Sequence, residues 1–200
     1  MSQGQSGAKL CQHALIAMGA NIRSTAGTPV QTIAAAIEML RAGGMVVDSV
    51  SPFYATPCIP AGAGPDYVNG AMRIQTDMGP EALLAQLHAV EAAFGRVRAA
   101  RWQARELDLD LIAYGDTIRP DAQTWQHWAD LPFEEQARRA PEALILPHPR
   151  LVERAFVVIP LAQIAPDWIH PILGKTLREL ADALPISEKN ALKLLDPAKT

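Results

Sequence analysis

The sequence predicts an α+β fold, an antiparallel sheet with two helices on one face in the order βαββαβ. Three observations predict it. Residues 67–76 alternate, with Val68, Met72 and Ile74 on one side and Tyr67, Asn69, Arg73 and Gln75 on the other, as a half-buried strand does. Two longer stretches, 28–44 and 80–95, carry helix-start residues, apolar side chains at helical spacing and a closing glycine. Short apolar runs bounded by Gly and Pro supply the remaining strands.

Taken in order, residues 1–9 are rich in Gly, Gln and Ser and lack an apolar core, and read as a disordered leader to a single domain over 10–200. Ala14 to Met18 is a continuous apolar run ending at Gly19, the pattern of a central strand. Thr28 can cap the next helix, Pro29 suits its first position, and Gln31 completes a capping box. Ile33, Ile37 and Leu40 share one face of that helix, and Gly43-Gly44 stops it. Met45 to Tyr54 is rich in strand formers, and Pro57 to Pro65 is a Pro/Gly loop before the alternating strand. The second helix starts near Pro80, carries the stripe Leu83, Leu87, Val90 and Phe94, and ends at Gly95. Leu107 to Tyr114 follows as a strand, with Leu107, Leu109 and Leu111 inward and Asp108 and Asp110 outward.

Residues 116–143, with Trp125, Trp128 and a charged run from Glu134 to Arg139, read as an elaborated connection holding one short helix. Beyond the Pro147-His148-Pro149 turn, Phe156 to Ile159 reads as a strand, and a helix near Thr176 to Leu184 closes the domain. The whole is ferredoxin-like, with C-terminal β/α additions. If two helices cover one face, the other is left open, and Tyr67, Asn69, Asp108 and Asp110 all fall on it. Parity alone therefore locates a ligand site.

Bulk properties narrow the function. The formal net charge is -3, with 49% hydrophobic and 20% charged residues. A nucleic-acid binder shows a broad basic surface, whereas positive charge here is concentrated locally, which suits a small anionic ligand. No apolar run reaches the roughly 18–20 residues of a membrane span, so a cytoplasmic protein is expected. The two cysteines, Cys11 and Cys58, form no disulfide framework or metal-ligand spacing. His13, His88, His127 and His170 show no zinc spacing. No glycine-rich phosphate loop is present, so phosphate would be held by side chains.

The chemistry concentrates in residues 96–110. Arg96, Arg98, Arg101 and Arg105 precede Asp108-Leu109-Asp110. Arginine offers planar, permanently charged forks to phosphate oxygens. Aspartates two apart on a strand point the same way and can share a hard cation such as Mg²⁺. The plain alternative is a solvated basic loop followed by two solvated carboxylates. Asp is a poor strand residue, so two in one strand impose a local cost that a bound metal–polyphosphate would explain. Trp102 among the arginines can stack on an aromatic ligand or anchor its loop to the core. His148 between prolines can aim an imidazole at phosphate, or be only a turn.

With these residues in view, the chain resembles the 6-hydroxymethyl-7,8-dihydropterin pyrophosphokinase family from about Ala14 to Leu180. The likeness is carried by Ala17-Met18-Gly19-Ala20-Asn21, Phe53-Tyr54-Ala55-Thr56-Pro57, Pro65-Asp66-Tyr67-Val68-Asn69, Glu91 through Arg98, Arg101 through Asp110, Pro147-His148-Pro149 and Arg154-Ala155-Phe156-Val157. The resemblance implies a ferredoxin-like fold and transfer of the β,γ-pyrophosphoryl unit of ATP to the hydroxymethyl oxygen of a reduced pterin. It implies Asp108 and Asp110 as holders of two Mg²⁺ ions, and Arg96 and Arg105 as catalytic charges. Glu91, Arg98, His148 and Arg154 become ATP-side residues. Thr56, Pro57, Ile59, Tyr67, Asn69, Trp102 and Phe156 become the pterin pocket. A monomer is expected, acting on ATP and a reduced pterin without nucleic acid or membrane. Gln103, and Cys58 with Ile59, stand where the family usually has small residues or a further proline. Two rival readings are a related phosphotransferase with another acceptor, and a non-catalytic binding module whose partner surface includes Trp125 and Trp128.

Overall fold

The computed structural model describes residues 11–58, 64–96, 105–132, 135 and 138–196. The expected leader, and Ile59, Arg98, Arg101, Trp102 and Gln103 among the site expectations, lie outside these residues. The strands are β1 (Gln12–Ala20), β2 (Val46–Val50), β3 (Tyr54–Thr56), β4 (Tyr67–Thr76), β5 (Asp108–Tyr114) and β6 (Lys193–Leu194). The helices are α1 (Pro29–Ala42), α2 (Pro80–Ala93), α3 (Ala122–Ala129), α4 (Ala155–Ile164), α5 (Leu177–Ala183) and α6 (Ile186–Ala191).

The strands make one six-stranded sheet in the order β5-β1-β4-β3-β6, with β2 also pairing β4. Every pairing is antiparallel. The expected run 45–54 divides into β2 and β3, because Ser51-Pro52 interrupts the ladder. Ser51 Oγ accepts the Ala71 N–H at 2.9 Å, where a strand carbonyl would otherwise serve. Opposite this break, Gly70 leaves room for Phe53, whose ring carbon would lie 2.7 Å from a Cβ at that position.

α1 begins where its capping box is written. The Gln31 N–H donates to Thr28 Oγ1 at 3.3 Å, and the Thr28 N–H donates to Gln31 Oε1 at 2.9 Å. Its stripe Ile33, Ile37 and Leu40 and the α2 stripe Leu83, Leu87 and Val90 bury against Ile16, Met18, Met72, Ile74, Leu109 and Leu111. Each such side chain contributes about 1.5–3 kcal/mol on burial.

The opposite face is not left open throughout. Phe156–Ile159, expected as a strand, lies inside helix α4, which carries Pro160 and packs on β4. With α5 it covers Leu15, Ala17, Ala71, Ile112 and Ala113. Among the described residues, a second helical layer therefore leaves uncovered only the end of that face where β4 and β5 begin. The continuous burial of Ala14 to Ala20 in β1 is the direct result.

In the 116–143 connection, α3 is capped by Asp121, whose Oδ1 accepts the Thr124 N–H at 2.8 Å. Trp125 belongs to the core rather than to a partner surface. It is 2% exposed, its Nε1 donates to Pro147 O at 2.7 Å, and His170 lies edge-on at 5.1 Å. Among the described residues, no helix is long and apolar enough to cross a membrane.

Candidate active site

The antiparallel register brings three strands into line at the end of the sheet where β4 and β5 begin. Gly19 of β1 stands opposite Asn69 of β4 on one side and Asp108 of β5 on the other. A Cβ on Gly19 would sit 3.2 Å from Asn69 Oδ1 and 3.9 Å from Asp108 Cβ, so the glycine keeps a gap between a neutral amide and a carboxylate. Asn69 is buried and its Nδ2 donates to Thr56 Oγ1 at 2.7 Å, which fixes the direction of its carbonyl. Tyr67 follows from the same parity and is half-buried; Pro57 is exposed at the end of β3.

The charged half is built around Asp108. Arg96, just beyond the C-terminus of α2, donates from Nη1 to Asp108 Oδ1 at 2.5 Å and also to Glu91. Arg105 donates from Nη1 to Asp108 Oδ2. Glu91 is 1% exposed and also accepts the Leu109 N–H at 2.7 Å. Expected beside ATP, it joins the last turn of α2 to β5 and holds the Arg96 guanidinium.

Burial works against the Arg105 charge, but Asp108 outweighs it and holds the guanidinium pKa above its ordinary value. Burial and the Asp110 charge push the Asp108 carboxyl above the usual carboxylate range, against the opposing pull of Arg105 and Arg96.

Asp110 faces the same way and pairs with Arg154 Nη1 at 3.5 Å. The Arg154 guanidinium also lies 5.9 Å from the centre of the Phe156 ring, in the first turn of α4 beside the site. Burial lowers the Arg154 pKa from its ordinary value.

His148 is held by its own N–H donating to Ile112 O at 2.8 Å, and its Nδ1 accepts the Arg150 N–H at 3.1 Å. Burial, then the charges of Arg154 and Arg150, push its pKa down to about 3. The imidazole is therefore neutral near pH 7. With Nδ1 accepting, its proton sits on Nε2, leaving a donor without a cost in charge.

The chain thus brings together Glu91, Arg96, Arg105, Asp108, Asp110, Arg154, Phe156 and His148 on one side and Thr56, Tyr67 and Asn69 on the other. Arg98, Ile59 and Trp102 lie outside the described residues. No cluster of three or more His, Cys, Asp or Glu that could hold a metal exists among the described residues. Asp108 and Asp110 nevertheless fit magnesium. They are hard oxygen donors on one face, where burial and then the Asp110 charge raise Asp108. Phosphate oxygens and water would complete the shell. Sequence reasoning gave no site role to two residues, Gly19 and Asn21, although both lie in the Ala17 to Asn21 stretch that carries the resemblance. Read without that resemblance, a glycine and an amide at the end of an apolar strand look like an ordinary turn.

Residues 15–166 match the family described as 7,8-dihydro-6-hydroxymethylpterin-pyrophosphokinase. The chain is 36% identical over 173 residues to the 2-amino-4-hydroxy-6-hydroxymethyldihydropteridine pyrophosphokinase of Synechocystis, covering 86% of this chain and 76% of that protein. It is 36% identical over 188 residues to the enzyme of the same name from Methylorubrum extorquens, covering 92% and 94%. Its fold matches a crystal structure of a Plasmodium falciparum HPPK-DHPS variant with pterin and p-hydroxybenzoate. There the TM-score is 0.64 at 13% identity, covering 95% of this chain and 48% of that one. The chain spans about half the length of that solved structure, a likeness of fold alone.

Proposed function

The chain belongs to the 7,8-dihydro-6-hydroxymethylpterin-pyrophosphokinase family, and from that membership we propose how its own residues carry the family's reaction. The activity is transfer of pyrophosphate from ATP to 6-hydroxymethyl-7,8-dihydropterin in folate synthesis. The hydroxymethyl oxygen forms a bond to the β-phosphorus of ATP, the bond from that phosphorus to the α–β bridging oxygen breaks, and AMP leaves.

Such a transfer asks for alignment and charge neutralisation more than for covalent assistance. Asp108 and Asp110 would hold the magnesium ions, two by family likeness, and the metal supplies charge neutralisation at the triphosphate. Arg96 and Arg105 exchange their grip on Asp108 for the oxygens of the transferring group. Asp108 and Asp110, no longer held by the arginines, would then be available to the metal, and the guanidiniums would pair with phosphate oxygens. Arg154 and the neutral His148 Nε2–H bind the nucleotide side, with Arg98 assigned to the same side. Glu91 acts by aiming Arg96. Asn69 reads the amide edge of the pterin with its fixed carbonyl, while Tyr67, Phe156 and Trp102 enclose the heterocycle and Thr56, Pro57 and Ile59 border it.

The observation that carries this reading is Asp108 gripped by two arginines beside a second carboxylate, one strand from a buried amide pocket. Incubating the purified chain with ATP, Mg²⁺ and the hydroxymethyl dihydropterin yields AMP and the pterin diphosphate. Formation of ADP, or of no nucleotide product, contradicts it.

A further inference from the structure

Asn21 follows the end of β1 and is 4% exposed, although it stands at a strand-to-loop junction where polar side chains normally face water. Its side-chain amide joins two distant stretches of chain. Nδ2 donates to Pro65 O at 3.2 Å, and Oδ1 accepts the Arg105 N–H at 2.7 Å. The Asn21 N–H also donates to Arg105 O at 3.0 Å, so the Arg105 peptide is held from both sides. A Cβ on Gly64 would lie at ordinary contact distance, 3.8 Å, from Asn21 Nδ2.

Pro65 leads directly into Tyr67 and Asn69, the heterocycle side of the site. Arg105 leads into Asp108 and pairs with it through its own guanidinium. One amide therefore spans the two halves. Only a side chain with both a donor and an acceptor can do this at that length: aspartate lacks the donor, serine is too short, and leucine offers neither.

We propose that Asn21 is a positioning residue that sets Arg105 against the entry of β4, and so sets the distance between the phosphate-binding charges and the pterin pocket. This rests on the pyrophosphokinase reading above and adds a residue that acts through Arg105 rather than by touching substrate.

The test compares Asn21→Asp and Asn21→Leu, each alone and combined with Arg105→Ala. The readouts are single-turnover transfer, pterin affinity by fluorescence and the thermal midpoint. A neutral hydrogen bond corresponds to about a five- to tenfold effect. Asn21→Asp keeps the acceptor for Arg105, so transfer stays within about threefold while the pterin Kd rises about tenfold. Asn21→Leu lowers transfer at least tenfold in the natural background but less than about threefold once Arg105 is alanine, because the path it acts through is already gone. If Asn21→Leu does not fold, Asn21→Ser takes its place with the same expectations. Equal losses in both backgrounds, or identical behaviour of the aspartate and leucine variants, overturn the proposal. AMP production by the unmodified chain tests the reaction separately, so failure of one reading is distinguishable from failure of the other.

Discussion

Arg96 reaches Asp108 at 2.5 Å, so the residue expected to stabilise the transferring phosphates is, without them, neutralising the residue expected to hold the metal. Asp108 is paired with both Arg96 and Arg105, and on the proposed reading these pairs would open when metal and nucleotide bind. Asp108→Asn keeps the shape and removes the charge. It should lower kcat about 10²- to 10³-fold, the scale of losing one positioned electrostatic group. Steady-state rates with the folded state checked by circular dichroism measure this; a loss under fivefold is incompatible with it.

Glu91 should separate aiming from binding. Glu91→Ala leaves the Leu109 N–H and half of the Arg96 grip unsatisfied in the core. The expected loss is roughly 2–3 kcal/mol by denaturant unfolding, below the usual cost of breaking a buried pair because Arg96 keeps Asp108. Glu91→Gln retains an acceptor, and should lower kcat while leaving the KM for ATP within about twofold. A KM effect larger than the kcat effect would make Glu91 a direct nucleotide contact instead.

Gly19→Ala introduces a Cβ 3.2 Å from Asn69 Oδ1 but only at ordinary contact distance, 3.9 Å, from Asp108 Cβ. Pterin binding should weaken about tenfold while ATP binding is retained. Calorimetric titration with each ligand decides it, and equal weakening of both would show that the gap serves the whole site.

Much of this site is legible in the sequence, because strand parity is a strict rule. Asp108, Asp110, Tyr67 and Asn69 fall where alternation puts them, and the α1 capping box forms as written. Helix α4 was not legible. Phe156-Val157-Val158-Ile159 is apolar at every position and β-branched at three of its four, so periodicity cannot tell a buried strand from a buried helix, and Pro160 masks the helix further. The covered second face had a sign: the uninterrupted apolar run in β1 demands packing on both sides, which conflicts with an open face. Glu91 sits on the buried side of α2 among leucines, where a carboxylate is legible only once its partners Arg96 and Leu109 are in place.

His170 links the fold to pH. It is fully buried between Trp125 and Trp168, its Nδ1 accepts the Ile172 and Leu173 N–H groups, and its Nε2 has no partner among the described residues. Burial pushes its pKa down to about 4. The folded state therefore disfavours the charged form. The stability from keeping it neutral is complete above about pH 6.5, declines as pH falls towards 4, and changes no further below that. The slope from this residue is at most about 1.4 kcal/mol per pH unit. Unfolding free energies of the natural chain and of His170→Phe, compared between pH 7 and 4.5, should converge as pH falls. Parallel curves would remove His170 from the account.

The central claim is that Asp108 and Asp110 hold the metal that carries the triphosphate. Its most direct measurement is calorimetric titration of ATP, with and without Mg²⁺, into the natural chain and into Asp108→Asn and Asp110→Asn. The natural chain should bind ATP much more tightly with magnesium, and each variant should lose most of that gain. An undiminished magnesium dependence in both variants would contradict the assignment.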